Sequence, residues 1–449
     1  MPAILLTGNK IAVIFLARRG YDAGETDTKE TSVHPQHTHQ GSTTASTPSI
    51  EFAGPRIAIC SEEFAADPHK FYRRMRKDYG PLVPVEMWPG VPATLVIKYR
   101  TAVRILNDSE HFPADPSIWQ KTVPADIPIM PMIEYRPNAI RTSGAEHARY
   151  RAALNDALAG MDLNFLRSIV ERSAAPIINT FCRDGNADVL SQYVLPLVFS
   201  VFCQVLGCPP EIGERVAKAS AAMFDGVDTD TVNAIMGGAL LDLTTLKRTH
   251  PADDVTTRLV QHPAGLTDEE MVHQLVLLFA AGVEPPLNLV ANTLLLMLTD
   301  PRFTTVDNGC PLSTKTALDE RLATDPPMAN YCITYPRQPI IIEGVWLPAN
   351  QPVIVSMAAC NTDPEMNTGE FLDNGWNLAF STGPHACPAH ARPYGLLLAQ
   401  EVIDQLLDVL PELKLAVPKE ELVWRPGPFH RALTTLPVVF PPTAPLPVG

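Results

Sequence analysis

The 449-residue chain has no surplus of basic residues. Its 35 Lys and Arg stand against 49 Asp and Glu, for a formal net charge of −14. A chain without excess cations cannot neutralise a run of phosphates, which excludes nucleic-acid wrapping as its role. It also lacks any C-x-x-C pair. The eight cysteines, Cys60, Cys182, Cys203, Cys208, Cys310, Cys332, Cys360 and Cys387, are scattered along the chain. That excludes a zinc ribbon or a thioredoxin-like site and predicts the reduced thiols of a cytoplasmic protein. No unbroken apolar run is long enough to span a bilayer. Ile4 to Ala17 is short and interrupted by Thr7, Asn9 and Lys10. Leu275 to Leu298 carries Glu284, Pro285, Pro286, Asn288 and Asn292, so it reads as a buried helix of a soluble protein. Neither a G-x-G-x-x-G loop nor an internal repeat is present.

What the chain has is proline, 44 residues in all, about twice average usage. Many helix stops and ordered loops are expected. With 46% hydrophobic and 19% charged residues, the composition is that of a globular protein. Residues 21–50, rich in Thr, Ser, His, Gly and Gln, predict that 1–50 is a disordered leader, or in part the product of a start codon placed too early. From about 51 to 440 no comparable linker interrupts the chain, which predicts a single domain over 51–449.

Periodicity predicts a mainly α fold with small β-sheets. Helices are expected near 68–79 (opened by Asp67-Pro68), 100–108, 145–158, 163–182, 188–206, 210–224, 230–247, 267–298 and 395–409. Short strands are expected at 83–86 and 93–97 around Pro89-Gly90, and later at 338–346 and 351–356. The irregular stretch 361–386 leads to Phe380-Ser381-Thr382-Gly383-Pro384-His385-Ala386-Cys387-Pro388. A glycine turn there delivers Cys387 to an expected helix start, with Pro388 as the first helical residue. Free N–H groups at that end would favour a thiolate and lower the cysteine pKa. A thiolate is a suitable axial ligand for heme iron and pushes electron density towards O–O cleavage. A buried structural cysteine after a turn is the alternative reading of the same residues.

Here the chain resembles the cytochrome P450 family, over most of residues 55–440. The family's pattern F-G-x-G-x-H-x-C-x-G is matched at Phe380, Gly383, His385 and Cys387, and departed from at Ser381 and Ala389. The resemblance implies a single-domain P450 fold, with the heme between the long I helix and the L helix. It implies heme b (iron protoporphyrin IX) as cofactor and Cys387 as the metal ligand. Further resemblances lie in order along the chain. Asp67-Pro68 to Pro81 looks like the first helix and its turn, and Phe112-Pro113-Ala114-Asp115 like the loop before the next helix. Glu146 to Arg151 looks like the C helix, Gly265 to Glu270 like the start of the I helix, and Asn361 with Asp363-Pro364 like the entry to the meander. His147 and Arg151, four apart, share one helix face. With His385 they suit the heme propionates.

Five further places depart from the pattern. Ala281-Gly282-Val283-Glu284-Pro285-Pro286 keeps the acid of A-G-x-[D/E]-T but has Pro285 at the threonine position. Glu284 is therefore expected to donate protons alone, through a water, and the two prolines to kink the helix. Glu320-Arg321-Leu322-Ala323 keeps the glutamate of E-x-x-R, with Ala323 at the arginine position, so Glu320 should find another donor. The meander arginine aligns with Glu370. A propionate-contacting arginine aligns with Thr334, with Arg337 near enough to move in. Pro393 predicts a late or kinked L helix.

The function implied is a monooxygenase that inserts one atom of dioxygen into a hydrophobic small molecule. Electrons would come from separate ferredoxin and reductase partners. The pocket is expected from Pro113–Ile140, Phe279–Glu284 and Met328–Cys332, with Trp119, Met130, Met132 and Ile133 available. Alternatives are a peroxide-using or non-oxygenating heme-thiolate enzyme (peroxygenase, isomerase or dehydratase) and a non-catalytic partner protein of the same fold.

Overall fold

The longest helix, Asp268–Thr299, starts where Thr267 and Glu270 close a capping box, each side chain bonding the other's backbone N–H. The computed structural model describes residues 55–224, 229–304, 312–366 and 377–447. The expected leader 1–50 and Glu370 lie outside them. Among the described residues this helix alone is long and apolar enough to cross a bilayer. It is instead the axis of the helical core, with every residue from Pro286 to Leu296 buried. Gln274, Asn288 and Asn292 are buried with it. Asn292 is tied to the Arg431 carbonyl at 2.8 Å.

Around it pack Leu195–Val205, Thr229–Thr249, Thr314–Thr324 and the late helix Ala391–Val409, with Leu163–Ile178 laid against the first and last of these. Together they form the largest of the buried apolar clusters. The region expected as one helix over 188–206 is divided. Asn186–Asp188 is a strand, Leu190–Val194 is a wider π turn, and the α-helix follows at Leu195. Pro196 has no N–H to offer the Gln192 carbonyl, so the ladder widens just ahead of it.

A five-stranded sheet forms a second body, in the order Ile57–Ala58, Leu82–Trp88, Val91–Val96, Val353–Val355, Cys332–Thr334. Leu82–Trp88 and Val91–Val96 are antiparallel across Pro89-Gly90, with Val83 opposite Leu95. Gly90 takes φ +77°, and its N–H is held by the Glu86 carboxylate at 2.8 Å. The stretch expected as one strand over 338–346 is a hairpin, Ile340–Ile342 with Val345–Leu347. Glu343 and Gly344 both take positive φ, as a tight two-residue turn between twisted strands requires.

A three-stranded sheet, Asn186–Asp188, Pro437–Val439 and Lys414–Leu415, closes the C-terminal end. Beside it a Trp424–Leu433 bridge narrows a loop carrying Arg425, His430 and Arg431. Leu378 packs with the sheet-side cluster of Leu106 and Leu347, while Phe380 packs against the helical core. The segment leading to Cys387 therefore bridges the two bodies.

Candidate active site

Backbone hydrogen bonds shape the cysteine loop. Ser381 N–H bonds the Leu378 carbonyl at 2.7 Å, Ala386 N–H bonds Gly383 at 3.1 Å, and Cys387 N–H returns to Phe380 at 2.9 Å. Gly383 takes φ +76°, and a Cβ there would lie 2.2 Å from the Leu106 carbonyl oxygen. Glycine is thus required for conformation and for space. Ser381 takes φ +58°, a left-handed backbone at a position where the family pattern has glycine.

The helix after the loop begins at Ala391, not at Pro388. Its leading N–H groups, those of Ala391 and Arg392, bond the Pro388 carbonyl at 3.0 and 3.3 Å, so they do not reach the sulfur. Pro393 falls in the first turn, where a missing N–H breaks no helical bond. The thiol environment differs from the expectation accordingly. Burial pushes the Cys387 pKa up, and the Arg392 and Arg151 guanidiniums oppose it. The positive field at the sulfur comes from these side chains and not from a helix end.

Those arginines also grip the loop. Arg392 donates through Nε to the Cys387 carbonyl at 3.2 Å, and its guanidinium lies 5.8 Å over the Phe380 ring. Arg151 donates to the Ala386 carbonyl. One turn earlier on the Gly144–Ala159 helix, His147 stacks on His385 with centroids 4.0 Å apart. His385 donates through Nε2 to the Thr142 carbonyl at 3.0 Å, whereas the buried Nε2 of His147 has no partner. Burial and the nearby cations lower His147 to about 4 and lower His385 as well, so both rings are neutral near pH 7.

Among the described residues the guanidiniums of Arg151 and Arg392 bond only carbonyl oxygens and meet no carboxylate. Half-buried cations without acids lose solvation that nothing repays. A thiol, two imidazoles and two guanidiniums with no balancing anion suit a ligand that brings a soft metal site and carboxylates of its own. Heme is such a ligand.

The long helix contributes the other half. Phe202 packs directly against Gly282, where a Cβ would come within 2.1 Å of its ring, and Phe279 meets Phe199 and Phe202. The helix runs without a break through Pro285 and Pro286, although the Ala281 and Gly282 carbonyls lose their i+4 donors. Glu284 is not a solitary acid. Arg425, from the C-terminal loop, is ion-paired with it, and Asn288 donates to it at 3.0 Å. Its second oxygen is buried without a partner. The Arg425 charge and the hydrogen bonds from Arg425 and Asn288 outweigh desolvation and hold the carboxyl below its usual range.

No protein-family model matches the chain. Whole-chain similarity to individual proteins is extensive. It is 28% identical to the vitamin D(3) 25-hydroxylase of Pseudonocardia autotrophica over 400 residues, 86% of this chain and 96% of that one. It is 28% identical to the cytochrome P450 monooxygenase PikC of Streptomyces venezuelae over 421 residues, covering 90% and 97%. Its backbone superposes on that of CYP154C4 from a Streptomyces species with a TM-score of 0.76 at 26% identity, over 86% and 98% of the two chains. The chain is similar over most of its length to bacterial cytochrome P450s and shares their fold, which supports a heme-thiolate monooxygenase of divergent bacterial type.

In this P450, Cys387, His385, His147 and Arg151 converge, while Glu284 lies with Arg425 and His430. Glu320 has found its donor in Arg302, at 2.9 Å, with Arg321 at 3.9 Å. Arg337 does not move into the site. Its Nε holds the Glu110 carbonyl at 2.8 Å on an exposed edge, because its backbone N–H is tied to His111. Thr334 is buried and reaches only the Val353 carbonyl. Trp119, Met130 and Ile133, expected to face substrate, are packed into the sheet-side core with Ile333 and Phe429. The sequence reading missed Arg425, His430 and Arg392. Arg425 and His430 come from a loop over 140 residues beyond Glu284, and no local pattern marks them. Arg392, five residues after the cysteine, could have been found from its place at the helix start.

Proposed function

We propose that this P450 binds heme b through the Cys387 thiolate, with His147, Arg151 and His385 on the ring carboxylates, and hydroxylates a hydrophobic small molecule. The bound heme supplies the oxidising chemistry. Arg151 and Arg392 hold the carbonyls on either side of the sulfur, so the loop cannot relax, and their charges favour thiolate over thiol. Glu284 is the catalytic carboxylate. Because Arg425 keeps it ionised, it relays a proton from the partly exposed Arg425 side and does not store one. Electrons come from separate ferredoxin and reductase partners, since these 449 residues hold neither a nucleotide-binding glycine loop nor a cysteine cluster. The described cysteines are free and the long apolar helix is buried in the core, which supports a cytoplasmic location.

The acid-free cluster around Cys387 carries this reading. Purified protein, reduced and exposed to carbon monoxide, is expected to show the strongly red-shifted Soret band of a thiolate-held heme. Cys387→Ala is expected to lose it. An unchanged band in that variant overturns the ligand assignment.

A further inference from the structure

Arg141 is a buried cation that neither the motif nor the ion pairs explain. It is 3% exposed and lies in the loop just before the Gly144–Ala159 helix. Its Nη2 donates to the Met132 carbonyl and, at 2.8 Å, to the Tyr331 hydroxyl. Its guanidinium lies 5.2 Å from the centre of the Tyr331 ring. Every other hydrogen-bond donor of the group is without a partner among the described residues, and no carboxylate lies within ion-pair distance. The rigid fork of arginine is suited to an anion that two of its edges can share.

The position of Arg141 says which anion. The next residue, Thr142, supplies the carbonyl that holds His385 at 3.0 Å. Arg141 and Arg151 are the two cations whose charge acts on that imidazole. Arg141 is therefore one residue from the backbone contact of that imidazole. Thr334, where the resemblance led us to expect an arginine, has no charge to offer, and Arg337 is bound at the surface. Tyr331 lies three residues before Thr334, so Arg141 is tethered to that same strand-side segment from across the site.

We propose that Arg141 is a cofactor-binding residue of this P450, pairing with a heme carboxylate in place of an arginine at position 334. The assignment rests on the heme-thiolate reading above. It would add Arg141 to His385 and Arg151 as the groups that hold the heme carboxylates. Tyr331 acts as the positioning residue that holds the guanidinium by its hydroxyl and ring.

The test uses the holoprotein and two readouts besides turnover: the rate of heme loss to excess apomyoglobin, and the ferric/ferrous midpoint potential. Arg141→Leu is expected to lose heme about ten-fold faster, the loss of one charged hydrogen-bonded contact. Its potential is expected to fall, because removing a positive charge disfavours the added electron. Arg141→Lys keeps the charge and is expected to retain the potential while losing heme at an intermediate rate. Arg337→Leu, at the surface, is expected to change neither. Wild-type heme loss and potential in Arg141→Leu overturn the assignment, whatever happens to its melting temperature. If Arg141→Leu does not fold, Arg141→Lys and Tyr331→Phe decide by heme loss, and wild-type rates in both overturn it. A wild-type chain that takes up no heme overturns the reading beneath the proposal, and the proposal with it.

Discussion

At the residue scale, two positions in the cysteine loop have left-handed backbone for different reasons. Gly383 faces the Leu106 carbonyl with no room for a Cβ, while Ser381 holds a side chain at positive φ. Gly383→Ala combines a conformational penalty with a contact to rigid backbone. It is expected to destabilise the protein by about 2–4 kcal/mol and to reduce heme retention. Ser381→Gly relieves a strain of about 1 kcal/mol, less the entropy glycine loses on folding. It is expected to be neutral or slightly stabilising. Thermal melts of the two variants with heme bound check the contrast, and equal effects would count against the steric account of Gly383.

At the element scale, the C-terminal loop and the long helix are joined through Arg425 and Glu284. Their side chains are 24% and 14% exposed, so part of the pair is screened, but the free oxygen of Glu284 is buried. Arg425→Ala leaves that carboxylate without its cation. It is expected to cost about 2–3 kcal/mol and to slow turnover more than substrate binding. Glu284→Gln alone is expected to slow turnover as well. The double variant is expected to recover part of the stability lost in Arg425→Ala, as a double-mutant cycle by chemical denaturation can measure. Additive effects would mean that the two side chains are not coupled.

The same scale shows what periodicity can and cannot supply. The helices at Pro68–Asp78, Tyr99–Asn107 and Asp268–Thr299 lie close to their expected spans because caps and apolar spacing are local. The late helix starts three residues after Pro388 because the cysteine loop closes on itself first. The Glu343-Gly344 turn was hidden inside an apolar run that alternation alone cannot divide.

At the scale of the whole molecule, stability should depend on pH in two stages. His430 is half-buried beside Glu284 and Arg425 and stacked on Tyr331. Burial lowers it from 6.5 to about 4. Its neutral form is favoured by folding, so this stability is complete above pH 6.5 and lost as pH falls towards 4. Glu270 joins the start of the long helix to Arg149 and Tyr150. Its pKa falls from 4.5 to about 2, because its hydrogen bonds to Arg149, Thr267 and Tyr150 and the Arg149 charge outweigh desolvation. Its contribution is present above pH 4.5 and disappears as pH falls through about 2. The melting temperature is therefore expected to drop first between pH 6.5 and 4 and again below 4.5. His147, lowered to about 4 as well, shares the first drop, so His430→Gln is expected to lessen that drop and leave the second unchanged, and an unchanged profile in that variant would remove His430 as a cause.

The sequence by itself determined the family, the cysteine, and the spacing that puts His147 and Arg151 on one helix face, because each is a short-range pattern. It also determined that the long apolar segment belongs in a core, since Glu284, two prolines and two asparagines sit at its middle. Only the tertiary structure decided how the charges are balanced. Glu320 is answered by Arg302, Glu284 by Arg425, and the thiol by Arg151 and Arg392, while Arg141 meets no acid among the described residues. Ion pairing acts through space over a few ångströms, and the partners are 5 to more than 200 residues apart. Their meeting depends on how the sheet, the helical core and the C-terminal loop pack, which no local spacing records.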